Sequence, residues 1–136
     1  MNTLGLRHTA LNVVDLKRSK DFYTRVLRMQ VEWEPDADNV YLTSEGQDNL
    51  ALHRASQPNP PSTSQNLDHI GFALPSLDDV DAWYAWIKQE GVPVLRDIQT
   101  HRDGARSFYM KDPDGVVIQM IYHPPIAARA LKDLKT

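Results

Sequence analysis

The chain has no cysteine among its 136 residues, which excludes a disulfide framework and a thiolate metal site. Any metal it binds is left to histidine, carboxylate, amide or water. Also missing is an apolar run near the ~20 residues that a membrane-spanning helix requires. The first residues, Met1 through Arg7, show no basic segment followed by an apolar stretch of the export type. A cytoplasmic location without membrane association is therefore the expectation. The formal charge of -3 is small and the basic residues are scattered, whereas a nucleic-acid backbone is met by a clustered basic face. A small molecule is the expected partner. What the chain does have is a composition of 41% hydrophobic and 24% charged residues, over a length that suits one domain.

That one domain reads as two copies of a unit. When the chain is laid on itself with His8 over His69, His8-Thr9-Ala10-Leu11 runs beside His69-Ile70-Gly71-Phe72. Leu16 then meets Leu77, Tyr23 meets Tyr84 and Val26 meets Ile87. The first module is expected over about residues 4–56 and the second over about 67–124, with a tail at 125–136. Between the modules, residues 57–66 are rich in proline and small polar side chains and suit a linker.

In each copy the apolar period goes from alternation to helical spacing and back, which predicts strand, helix and then strands. The first strand is expected at about 5–13. The first helix begins near Asp15, carries Phe22, Val26 and Met29 on one face, and stops near Met29. In the second copy Ser76 with Asp79 forms a capping pair, Val80, Trp83 and Ile87 share a face, and Gly91 ends the helix. Further strands are predicted at about 30–34, 39–44 and 49–55, and again at 93–99, 105–111 and 116–122. Asp112-Pro113-Asp114-Gly115 makes the last hairpin, because proline presets the second turn position and glycine accepts a positive φ at the fourth. The segment 126–132 resembles a short helix that braces a dimer or frays.

Alternate strand residues point to opposite sides of a sheet, so parity selects the face that holds chemistry. Leu11 and Val13 share one side, and His8, Ala10 and Asn12 the other. In the second copy Ile70, Phe72 and Leu74 oppose His69, Gly71 and Ala73. Leu50 and Leu52 turn toward the helices, and Ala51 and His53 away from them. Ile118 and Met120 oppose Val117, Gln119 and Ile121. His8, His69, His53 and Gln119 thus stand among small residues that leave space for a ligand. The bland alternative for each histidine is packing or surface. His123, before two prolines, reads as strand-end surface, and Trp33, Trp83 and Trp86 as ordinary aromatic packing.

The openings at His8 and His69, Asp21-Phe22-Tyr23 with Val26-Leu27, and Phe108-Tyr109-Met110-Lys111-Asp112-Pro113-Asp114-Gly115 together resemble the vicinal-oxygen-chelate superfamily. Glyoxalase I, fosfomycin-resistance enzymes, extradiol dioxygenases and bleomycin resistance proteins belong to it. The resemblance spans nearly the whole chain. It implies an α+β fold of two βαβββ modules whose curled mixed sheets enclose a cavity, usually in a homodimer. It also implies a divalent metal ion (Fe, Mn, Ni, Co or Zn) held by the histidine opening each module and by a glutamate four residues after the turn glycine. Here that count gives His8, His69 and Gln119, an amide where the family has a carboxylate. A neutral amide oxygen is a weaker donor. Gln119 either keeps the ligand role, as glutamine does in some glyoxalase I enzymes, or satisfies hydrogen bonds in a cavity without a metal.

His53 has two readings under the same resemblance. Related glyoxalases draw a further ligand from this strand. If Ala51 is the counterpart of Gln119, however, His53 sits roughly 7 Å farther along and lines the mouth. For catalysis, the resemblance implies a glyoxalase-like lyase in which the metal polarises a carbonyl while a base removes the neighbouring proton. Gln119 cannot accept that proton near neutral pH, which leaves His53 as the catalytic candidate. For substrate binding, Arg102 and Arg106 could grip a carboxylate or phosphonate, and Ser107 and Tyr109, on one strand face, could donate hydrogen bonds. The related resistance enzymes have a similar Ser-Phe-Tyr run. Two alternatives stand beside the lyase: a metal-free protein that sequesters a small molecule, and an extradiol-type dioxygenase.

Overall fold

A computed structural model of the protein describes residues 3–4, 6–57 and 67–133. The predicted linker, apart from Gln57, lies outside the described residues, as do Gly5 at the predicted start of the first strand and the last three residues of the tail. The chain divides into two compact units, Met1–Ser64 and Gln65–Thr136. Among the described residues no helix is long and apolar enough to cross a membrane.

The first unit runs β1 (His8–Val13), α1 (Leu16–Asp21), β2 (Gln30–Asp36), β3 (Asn39–Thr43) and β4 (Asn49–Arg54). The second runs β5 (Ile70–Leu74), α2 (Leu77–Gln89), β6 (Val94–Thr100), β7 (Arg106–Lys111), β8 (Val117–Tyr122) and α3 (Pro124–Asp133). Each unit forms a four-stranded mixed sheet with the same order, β1-β4-β3-β2 and β5-β8-β7-β6, in which the first strand is parallel to the last. Neither sheet closes into a barrel. The α+β class and the βαβββ order expected from the sequence are present in both units.

Local chemistry sets the element ends. The Asp15 carboxylate accepts from the Arg18 backbone N–H and starts α1, and the Ser76 hydroxyl accepts from that of Asp79 and starts α2. Gly91, at φ 73°, donates to the Lys88 carbonyl and ends α2. In the last hairpin Gly115, at φ 86°, donates to the Asp112 carbonyl, while the buried Asp112 side chain accepts from the backbone of Asp114 and Val116.

One stretch departs from the regular helix expected up to Met29. Residues Phe22–Val26 are π-helical, and Leu27 N–H reaches back to the Phe22 carbonyl. The Thr24 hydroxyl takes the Lys20 carbonyl at 2.8 Å, the group that a regular α-helical bond from the Thr24 backbone would use. Arg28, at φ 58°, then turns the chain toward β2.

The helices cover one face of each sheet. In the first unit Leu11, Val13, Val40, Leu42, Leu50 and Leu52 are buried, with Tyr23 and Val26 of the helical segment. In the second, Phe108, Met110, Ile118 and Met120 are buried with Val80 and Ile87 of α2, while Trp83 is only half-buried. Each such side chain contributes about 1.5–3 kcal/mol by leaving water. The opposite faces carry the polar residues, as parity predicts; Ala51 is buried there between its register partners Ala10 and Tyr41.

Candidate functional site

In the second unit, His69 stands immediately before β5. Its Nδ1 lies 2.6 Å from Asp68 Oδ1, and its ring meets the Tyr109 ring edge-on, with centroids 5.5 Å apart. Gln119 of β8 is in register with Gly71 on one side and Tyr109 on the other. Its Nε2 donates to the Tyr109 hydroxyl at 2.8 Å and to the Ser107 hydroxyl at 3.2 Å. Both bonds use the amide nitrogen, so neither engages Oε1. A Cβ at Gly71 would stand 3.9 Å from that oxygen, an ordinary contact, so Oε1 lies against the Gly71 backbone without needing the glycine. Arg96 of β6 completes the group with its guanidinium over the Tyr109 ring, 5.2 Å from the centroid.

In the first unit, His8 opens β1 opposite Asn49. Its Nδ1 lies 2.7 Å from Asn49 Oδ1, and Asn49 Nδ2 donates to Glu32 Oε2 at 2.6 Å. His53 of β4 stands opposite Asn39 of β3, with Nδ1 2.6 Å from Asn39 Oδ1. Asn39 Nδ2 donates in turn to both carboxylate oxygens of Asp36, at 2.8 and 3.1 Å. The backbone N–H of Asp38, then the Asn39 amide, hold the Asp36 carboxyl below its ordinary range. Tyr41 meets His53 edge-on and is stacked by the 59% exposed Trp33.

The register decides which strand positions correspond. Ala10 pairs with Ala51 as Gly71 pairs with Gln119, so Ala51 is the counterpart of Gln119. His53 stands two residues farther along β4, and the position matching Gln119 in the first unit offers only a methyl group. Ser107 and Tyr109 share the Gln119 face, but Ser107 is 1% exposed and acts on Gln119 rather than on solvent. Arg106 lies on the helix side with Phe108: its guanidinium bonds Asp81 of α2 and the Thr100 hydroxyl. Strand alternation therefore separates it from Ser107 and Tyr109. Arg102 is exposed in the turn before β7. Among the described residues no three His, Cys, Asp or Glu side chains stand close enough together to hold an ion.

Residues absent from the sequence-based site are Arg96, Glu32, Asn49, Asn39, Asp36 and Asp68. Asn49 shares the parity of Ala51 and His53 and was available to that reasoning. Arg96 was not. Val94 pairs with Met110 and Arg96 with Tyr109, so a bulge inserts one residue and resets the facing of the strand. The same bulge lies between Val31 and Trp33 in the first unit.

Known proteins share this sequence pattern and this fold. Among curated sequences the chain is similar to the metallothiol transferase FosB of Staphylococcus epidermidis, at 27% identity over 88% of this chain and 82% of that protein. It is similar to the enzyme of the same name from Bacillus licheniformis, again at 27% identity, over 82% of this chain and 71% of that one. Among solved structures, a glyoxalase/bleomycin resistance protein/dioxygenase from Alicyclobacillus acidocaldarius shares the fold at TM-score 0.72 and 24% identity, covering 90% of this chain and 94% of the other. A lactoylglutathione lyase from Agrobacterium tumefaciens does so at TM-score 0.71 and 19% identity, covering 90% and 96%. The model of the Glyoxalase/Bleomycin resistance protein/Dioxygenase superfamily matches residues 5–120, and the chain belongs to that superfamily.

Proposed function

We propose that the protein is a metal-dependent, glyoxalase-like lyase acting on a small substrate with vicinal oxygens, in the cytoplasm and as a homodimer. The observation that carries this reading is the preparation of the donor atoms. The Gln119 amide nitrogen is taken by Tyr109 and Ser107, which leaves Oε1 as the amide's donor atom for a ligand role, and Nδ1 of His69 is taken by Asp68. Metal-binding histidines commonly bond the second ring nitrogen to a carboxylate or carbonyl, and such partners set ligand orientation and basicity. His8, His69 and Gln119 are the proposed ligands for one divalent ion of the Fe, Mn, Ni, Co and Zn group.

A divalent ion bound there would supply Lewis acidity to the substrate oxygens, an effect worth several kcal/mol in the transition state. His53 is the proposed base. It takes the proton next to the substrate carbonyl, because an amide at Gln119 has no basic lone pair near neutral pH. The Tyr109 hydroxyl, which accepts from Gln119, keeps its own proton to donate to a substrate oxygen. Arg96 above Tyr109 and the exposed Arg102 are the cations available to an anionic substrate. Arg106 has its donors on Asp81 and Thr100, which suits a part in holding α2 to the sheet.

The test is the metal content of untagged protein, measured by mass spectrometry after loading with each metal and desalting. About one equivalent per chain, lost in His69→Ala, is the expected result. No retained metal under any loading would overturn the lyase and a ferrous dioxygenase alike. A metal-free binding protein would then stand, and the exposed Trp33 stacked on Tyr41 is the observation that favours it. The relatives' name, metallothiol transferase, supports the metal and suggests a thiol co-substrate to screen beside lyase substrates.

A further inference from the structure

Two histidines of the first unit end the same chain of groups. Glu32 of β2 accepts from the Asn49 amide and Asn49 Oδ1 faces His8 Nδ1; Asp36 of β2 accepts from the Asn39 amide and Asn39 Oδ1 faces His53 Nδ1. The carboxylates fix how the amides lie. Turning either asparagine over would set its carbonyl oxygen against a carboxylate and lose the charge-assisted bond. Each Oδ1 therefore points at an imidazole, and a carbonyl oxygen has lone pairs but no proton. A neutral imidazole can bond it only through Nδ1–H.

We infer that Asn39 and Asn49 are positioning residues that hold His53 and His8 as the Nδ1–H tautomer, leaving the Nε2 lone pair of each ring for chemistry. What those lone pairs do rests on the proposed function: Nε2 of His8 would be the atom offered to an ion, and Nε2 of His53 the atom that would receive a proton. When the substrate C–H bond breaks, its electron pair stays on the substrate and its proton goes to Nε2 of His53. The Nδ1–H bond to Asn39 survives that transfer, because both nitrogens of an imidazolium are donors. Without the relay, neutral imidazole favours the Nε2–H form, which has no basic lone pair at that atom. The second unit has a different arrangement, with Asp68 bonding His69 directly.

Long-range proton–nitrogen correlation spectra of the full-length, metal-free, nitrogen-15-labelled protein read the tautomer, with the rings assigned from His8→Gln and His53→Gln. At a pH where both rings are neutral, His8 and His53 are expected to show a protonated-type Nδ1 shift and a lone-pair-type Nε2 shift. Asn39→Leu should move His53 toward the Nε2–H pattern and leave His8 unchanged, and Asn49→Leu should do the reverse. An Nε2–H pattern for either ring in the parent protein would overturn the inference, as would a His53 spectrum indifferent to Asn39→Leu. Because the parent spectrum decides by itself, a variant that fails to fold leaves the test intact. Failure of the metal proposal shows separately, as no retained metal with these spectra as expected.

Discussion

The two units lay different side chains over one backbone plan. Strand order, the parallel pairing of first and last strands, and even the bulge in the outer strand recur, so Ala10, Ala51, Tyr41 and Trp33 occupy the row that Gly71, Gln119, Tyr109 and Arg96 occupy in the second unit. Only the tyrosine is common to both rows. Where the second unit presents an amide and, over its tyrosine, a cation, the first presents methyl groups and, on its tyrosine, a stacked indole, with its imidazoles at the row's flanks. The sheet thus fixes where a side chain stands and leaves its chemistry open. On the open faces, chemical identity between the units is confined to the opening histidines and the tyrosine.

The largest expected effect lies on the buried faces, where the plan itself can be broken. Phe108 and Val40 hold corresponding positions, opposite Met120 and Leu52, and both are fully buried. Phe108→Ala should destabilise the protein by about 3–5 kcal/mol, since it removes a ring and leaves a cavity. Val40→Ala should cost about 2 kcal/mol, for two methyl groups and a smaller void. Urea midpoints at unchanged slope measure both. A costlier Val40→Ala would mean that the first unit carries the stability, against the ordering expected from side-chain size.

Next in size are effects on metal binding, which sharpen the contrast on the open faces. Tyr109→Phe removes a partner that orients Gln119, and Asn49→Leu one that orients His8. Each should weaken zinc affinity roughly 10- to 100-fold in a competition titration, the usual cost of losing such a partner. Asn39→Leu, which acts on His53, should leave it unchanged. Equal losses at all three positions would point to general loosening rather than ligand preparation.

A smaller effect is expected at Arg106. Arg106→Ala breaks the contact with Asp81, between side chains 28% and 51% exposed, and should cost about 0.2–1 kcal/mol because water screens such pairs. Metal retention should not change. A variant that loses metal while keeping its urea midpoint would return Arg106 to the site.

Much of this was legible in the sequence, for physical reasons. Residue periodicity and the Asp112 to Gly115 turn are local signals, and they located every strand and the start of both sheet-covering helices. Parity put His8, His69, His53 and Gln119 on the open faces because those strands are regular up to each residue. It does not reach Arg96, beyond a bulge that no local pattern announces, while Arg106 alternates with Ser107 and so takes the helix side. The relays were illegible for another reason. Glu32 and Asp36 reach Asn49 and Asn39 across neighbouring strands, and such pairings depend on register rather than on any spacing along the chain.

The smallest expected effect lies in the Asp36 relay of the first unit. Asp36 is fully exposed, and its carboxyl is held below the ordinary range first by the Asp38 backbone N–H and then by the Asn39 amide, with His53 adding the least. A carboxyl whose folded pKa is depressed contributes stability that is present above its unfolded pKa and fades as the pH falls through the folded value. Asp36→Asn should therefore flatten the acid limb of stability below the ordinary carboxylate range and leave its neutral-pH shape unchanged, as urea midpoints against pH would record. If Asp36→Asn left the limb as steep as in the parent, the Asp36 carboxylate would be solvated in the folded protein, and Asn39 would have to hold His53 without it.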